Sequence, residues 1–161
     1  MARLFITSGE TYGESTGGIP GGTMTQLVGS RTGHETVFIN ANGDADLDGS
    51  FNAGGDIINI LGNAGSYSGA VVGSKLVLTS STGANISIPV GSVGATINFA
   101  DSAGRVLVFD PVLNKVLLGS QSFSPDGPTL VVDSGAGNSN LLRLTVGQDN
   151  LTGNASAQTF R

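Results

Sequence analysis

The chain has 161 residues, 26 of them glycine, with a net charge of −5 and a pI of about 4.5. Its length suits one domain, and an apolar content of 39% in patterned runs excludes a disordered chain. The basic residues Arg3, Arg31, Lys75, Arg105, Lys115, Arg143 and Arg161 are scattered, which excludes a basic stripe for nucleic acid or anionic membrane. The lack of cysteine removes disulfides, thiolate metal sites and cysteine nucleophiles together.

The opening MARLFITSGE carries one Arg and a short apolar run, the pattern of neither a signal peptide nor a membrane span. Residues 4–7 (LFIT) read as a first strand. Residues 8–34 are rich in Gly, Ser and Thr, with a short strand at Thr25–Val28 in otherwise irregular sequence. Thr36–Ile39 reads as a strand, an acidic loop follows, and Asp56–Leu61 reads as the next strand.

Ser68–Val72 and Lys75–Ser80 flank Gly73-Ser74, the spacing of a two-residue hairpin. Asn85–Val90 alternates apolar and polar residues, and Pro89 marks it as an edge or bulged strand. Thr96–Ala100 repeats the alternation, Arg105–Asp110 is apolar on both faces and so central, and Lys115–Gly119 follows a turn. The SPDGP run at 124–128 breaks the pattern before two last strands, Thr129–Asp133 and Leu141–Val146.

Regular strand spacing marks a meander, a sandwich or a barrel, and equally a β-solenoid with one strand per step. Hairpin-type turns favour antiparallel pairing, and the glycine density argues against long helices. The expected fold is all-β, an antiparallel meander packed as a sandwich or barrel-like body. A β-solenoid is the alternative, and no substantial helix is expected. Residues 1–34 read as an N-terminal strand and Gly-rich irregular segment, 35–146 as a single all-β domain, and 147–161 as a polar tail or linker.

The stretch Asn40–Asp56 (NANGDADLDGSFNAGGD) places four aspartates within thirteen residues of a chain holding twelve acids. Asp44-Ala45-Asp46-Leu47-Asp48-Gly49 matches D-x-D-x-D-G, in which alternate carboxylates on a loop present oxygens to one hard cation. Position twelve is Gly55 rather than a bidentate Glu, and no helices flank the run, so it is no EF-hand. The candidate metal ligands are Asp44, Asp46, Asp48, Asn52 and Asp56, with calcium as the cation. The competing reading is that Asp and Asn here only shape turns.

Gly13-Glu14-Ser15-Thr16-Gly17 matches G-x-S-x-G, but GIPGG follows it and cannot open the helix a nucleophile elbow requires. The only histidine, His34, lies in a Gly/Thr segment. No nucleophile–base pair can be assembled, so an enzyme is not expected.

Two pieces resemble family sequence. LDGSFNAGGDIINI (47–60), running on through GSYSGAVVGSKLVLT and ISIPVGSVGATINFAD to VLLGSQ, is similar to a β-rich module of bacterial surface-layer and repeats-in-toxin (haemolysin-type) secreted proteins. LTVGQDNLTGNASAQTF (144–160) resembles the segment that opens their calcium-binding nonapeptide repeats. The resemblance implies calcium dependence, export by a type I system and a structural or adhesive role at the cell surface. Where that pattern has GND before the final TF, this chain has Ser156-Ala157-Gln158, so the turn glycine and calcium carboxylate are missing from the tail.

The functional expectation is a non-catalytic extracellular structural or surface-assembly module, calcium-stabilised and self-associating as a homo-oligomer or lattice. Unblocked Thr/Ser/Asn edge strands favour such pairing. The alternatives are a glycan- or surface-binding adhesin module, which the scarcity of aromatics disfavours, and a viral decoration or fibre domain. No nucleic acid partner and no membrane insertion are expected.

Overall fold

Alternation of apolar and polar side chains decides which face of each strand turns inward. The structure, a computed structural model, describes residues 1–132. Its strands begin with β1 (Ala2–Phe5), β2 (Thr11–Tyr12), β3 (Thr25–Val28), β4 (Thr36–Ile39), β5 (Asp44–Leu47), β6 (Ile57–Ile60) and β7 (Tyr67–Val72). They continue with β8 (Lys75–Ser80), β9 (Asn85–Pro89), β10 (Ala95–Phe99), β11 (Ser102–Asp110), β12 (Lys115–Leu118), β13 (Gln121–Phe123) and β14 (Thr129–Leu130). The helical pieces among the described residues are two 3₁₀ turns, Gly49–Asn52 and Ala64–Ser66.

The strands form two seven-stranded sheets, ordered β1-β3-β5-β9-β8-β7-β14 and β13-β12-β11-β10-β6-β4-β2. Neither closes into a barrel, and the fold is an all-β sandwich. In its first half the chain steps from sheet to sheet. Strands β1, β3, β5 and β9 stack in parallel in one layer, and β2, β4, β6 and β10 do so in the other. Each such pair is one coil: β1–β2, β3–β4, β5–β6 and β9–β10, numbered one to four. The hairpin β7–β8 is inserted between coils three and four and pairs onto β9.

The meander expected from the sequence holds for β7 to β9 and for β10 to β13. The coils follow the solenoid alternative instead, with two strands per turn. A half-buried strand shows the same alternation whether its neighbour is parallel or antiparallel, so periodicity alone does not separate the two. Pro89 is also placed differently: β9 is interior, between β5 and β8. Its parallel pairing with β5 ends at Ser87, so Pro89 owes that neighbour no N–H donor.

In-register stacking builds the core as columns. Leu4, Leu27 and Leu47 follow one another across the first sheet. Val37, Ile58 and Ile97, and beside them Ile39, Ile60 and Phe99, do so across the second. From Leu27 onward these side chains are buried. Beyond coil four, the antiparallel strands cover the stack. Buried Arg105 stacks on the Phe99 ring at 5.3 Å and donates from Nη1 to the Val132 carbonyl at 2.7 Å. The expected strand at Leu141–Val146 and the polar tail at 147–161 lie outside the described residues.

The coils approach so closely at one corner that only glycine fits. Gly33 has φ of +67°, and a Cβ there would sit 2.0 Å from the Gly54 carbonyl oxygen of the next coil. His34 N–H donates to that same oxygen at 3.1 Å, so backing away breaks an inter-coil hydrogen bond. Gly33→Ala therefore combines left-handed strain with a backbone clash. The expected loss is about 3 kcal/mol or more in urea unfolding, and a loss below about 1 kcal/mol contradicts this reading of the corner.

Candidate functional site

The acidic stretch is not a continuous loop. Asp44–Leu47 is β5, with Ala45 and Leu47 buried and Asp44 and Asp46 on the outer face, half-buried. This corrects the loop reading: the D-x-D spacing that suggests a cation loop is also the period of a strand. Only from Asp48 does the chain turn, through the 3₁₀ segment Gly49–Asn52, whose Phe51 is buried.

Each of the five residues expected to share calcium has a partner of its own. The Asp44 carboxylate accepts from Gly22 N–H at 2.7 Å, ahead of coil two. Asp46 pairs with Lys75 of the inserted hairpin, and the same ammonium donates to the Leu47 carbonyl at 2.8 Å. Asp48 caps the 3₁₀ turn, accepting from Ser50 N–H at 2.9 Å and from the Ser50 hydroxyl. That hydroxyl oxygen in turn accepts from Gly29 N–H of coil two at 2.7 Å. Asn52 Oδ1 accepts from Gly94 N–H, leading into coil four, at 3.4 Å, and its amide occupies the space a Cβ on Gly91 would take. Asp56 is buried and its Oδ1 accepts from Glu35 N–H at 3.1 Å.

Four of these contacts tie coil three to a neighbouring coil, directly or through Ser50, and the fifth ties it to the hairpin. Among the described residues no group of three or more His, Asp or Glu side chains gathers around one metal position.

The sequence reading missed Glu35. It precedes β4 as Asp56 precedes β6, and the register Thr36↔Ile57 stacks the two at the same corner of successive coils. Both are fully buried. Glu35 Oε1 accepts from Ser30 N–H at 2.8 Å, while Glu35 Oε2 and Asp56 Oδ2 receive no N–H or hydroxyl donor. A proton held by either carboxyl would supply the donor that both outer oxygens lack, bonding one side chain to the other.

Burial pushes the Asp56 carboxyl up to about 6, reinforced by that hydrogen bond and by the adjacent Glu35 charge. Burial acts in the same direction on Glu35, but hydrogen bonds from Asp56 and Ser30 outweigh it and hold its carboxyl below the ordinary value. Below about pH 6 Asp56 is therefore the partner that holds the proton and Glu35 the carboxylate. The pair is a neutral donor bonded to one buried anion, far less costly than two buried anions.

Other motifs do not assemble. Ser15 lies in the segment closed by the Gly18 N–H to Gly13 carbonyl hydrogen bond, and it makes no side-chain hydrogen bond. The exposed His34 has φ of +71° and its Nδ1 lies 3.0 Å from the Thr32 carbonyl. An apolar cleft of about 470 Å³ opens where the β7–β8 and β11–β12 turns diverge, lined by Val71, Val90, Phe109, Val116 and Phe123, with Lys115 beside them. None of the acidic-stretch residues reaches it.

The shared proton gives the pair a defined pH dependence. Asp56 is raised from 3.8 to about 6, so the stability it contributes is present in full at low pH and is lost as pH climbs through that window. Glu35, lowered from 4.5, contributes stability that is lost as pH falls. The combined contribution is largest between the two ranges and declines toward neutrality. Asp56→Asn keeps a neutral donor and does not titrate. The difference in melting temperature between wild type and this variant is expected to shift against wild type between about pH 4.5 and about pH 7. A difference that does not change with pH contradicts the shared proton.

Comparison with protein-family models, with curated proteins and with solved structures returns no match for this chain. The functional reading therefore rests on the geometry of the coils and their clamps and on the resemblance of residues 47–121.

Proposed function

We propose that the protein is a non-catalytic, extracellular structural module, a rigid β body that associates with its own copies in a surface assembly. The observation that carries this reading is the use made of the polar side chains in the middle of the chain. Asp44, Asp48, Asn52, Glu35 and Asp56 all serve contacts between successive coils, directly or through Ser50. A chain that commits its buried acids to holding coils in register is built to transmit load and present edges. The likeness of residues 47–121 to surface-layer and repeats-in-toxin sequence supports the extracellular setting.

A second reading, a binding module, draws on the cleft between the diverging turns. Its apolar lining suits a hydrophobic segment and offers few of the polar groups that orient a sugar.

Each of the five expected calcium ligands has a protein partner, so we expect the acidic stretch to hold its shape without calcium. A folded-state-specific cation would raise the melting temperature with concentration as RT ln(1 + [L]/Kd). The expected result is the same melting temperature in millimolar calcium and in chelator. A rise with calcium that Asp44→Asn/Asp46→Asn abolishes would restore those two side chains as ligands. Self-association is read separately by light scattering and electron microscopy over a concentration series, where growth in mass is expected and a strict monomer would overturn it.

A further inference from the structure

Stacked coils bury their faces only against neighbours, so a coil with an open side needs a polar cap or a partner. Coil one has neither among the described residues. β1 is the end strand of the first sheet and β2 the end strand of the second. Met1 is 86% exposed and Phe5 66%, and Leu4 is only partly buried against the core. The devices that protect an edge are short length, charged side chains, prolines, bulges or a covering segment, and β1 has only its four-residue length and one charge. β1 carries a single charge, Arg3, and it points outward beside Phe5, its guanidinium 5.0 Å from the ring centre.

We propose that the free edge of β1 pairs antiparallel with β1 of a second copy, about a two-fold axis at Leu4, joining the first sheets of the two molecules. The inference rests on the self-associating reading above and assigns its contact surface. Three features of the strand select the partner and the register.

The first is hydrogen-bond direction. Ala2 N–H and Ile6 N–H donate toward β3, to the Met24 and Val28 carbonyls at 3.2 and 2.8 Å. The N–H and C=O groups of Arg3 and Phe5 therefore point to the open side. The second is facing. Centring the axis on Leu4 sets Arg3 opposite Phe5 of the second copy as a hydrogen-bonded pair, and Leu4 opposite itself as a close, non-hydrogen-bonded pair.

The third is charge. In this register each guanidinium meets an aromatic ring, a favourable cross-strand pair. Sliding the strands by two residues toward the N-terminus would set Arg3 against Arg3, a like-charge pair. In the chosen register Leu4 meets Leu4 over the core face and completes the burial that coil one lacks. An axis normal to the sheets passes through both layers, so the same operation brings β2 beside its own copy.

The chain has no cysteine, so a single introduced thiol reports the contact directly. Opposed residues of a non-hydrogen-bonded pair have Cα atoms about 4.5 Å apart, within disulfide reach. Leu4→Cys oxidised with copper phenanthroline is expected to give a covalent dimer in high yield. Ala2→Cys would place its two thiols on strands offset by four residues, about 13 Å apart, and is expected to stay largely uncrosslinked.

Two substitutions at Phe5, which is 66% exposed, are expected to leave the monomer fold intact and to move association in opposite directions. Phe5→Lys sets lysine against Arg3 twice per dimer and is expected to weaken the dimer by about tenfold or more. Phe5→Glu sets up two ion pairs and is expected to keep or tighten it. If wild type associates while Leu4→Cys fails to crosslink, or while both Phe5 variants weaken equally, this edge is wrong and self-association proceeds through another surface. If wild type is monomeric at every concentration, the self-associating reading itself falls.

Discussion

Coil three is held on both sides. Its strand β5 lies between β3 and β9, and β6 lies between β4 and β10. The side chains at its corners reach out to coils two and four. Parallel stacks gain little from local contacts, because residues paired across successive coils are some twenty positions apart in sequence. Loop-closure entropy is spent before such pairs form. Something must fix the register of each coil, since a slip of one residue would turn every inward side chain outward. Polar groups at the corners supply that constraint, because a buried hydrogen bond tolerates displacement far less than an apolar contact does.

The Glu35–Asp56 pair is the most demanding of these constraints. Two carboxyls placed at the same corner of adjacent coils would repel if both were ionised in an apolar setting. Below the Asp56 titration near 6, one proton between them converts the repulsion into a hydrogen bond that links β4 to β6. Breaking one partner of such a pair leaves a buried charge unsatisfied, whereas replacing both by apolar groups need not be costly. The arrangement thus contributes alignment more than net stability. Around it, Ser50 bridges Asp48 to Gly29 and Asn52 reaches Gly94, so the same turn of coil three grips both neighbours.

Much of this was legible in the sequence. Thr25–Val28 and Thr36–Ile39 have the strand bounds read from alternation, the Gly73-Ser74 hairpin forms where its spacing placed it, and Arg105–Asp110 belongs to an interior strand. The parallel half was not legible from periodicity, but it has a signal of another kind. Leu27, Gly29, Ser30, Glu35, Val37 and Ile39 recur as Leu47, Gly49, Ser50, Asp56, Ile58 and Ile60, with one residue inserted between the serine and the acid. That internal repeat pairs Glu35 with Asp56 and casts both as corner residues. The cation template drew attention to the carboxylates as a set, although the alternation of Asp44 and Asp46 with Ala45 and Leu47 is the mark of a strand. The assignment of each aspartate to its own partner depends on which coils become neighbours, and no local pattern encodes that.

Native-state hydrogen exchange tests the central claim most directly. If coil three is the clamped centre of the stack, the amides of β4, β5 and β6 exchange only through global unfolding, and they form the slowest set in the chain. Strands at the ends of the sheets, β1 and β13, exchange earlier by local opening. Early exchange of β5 and β6 while β8 and β11 stay protected would contradict the claim, because the antiparallel half would then be the stable body and the coils a loosely held extension of it.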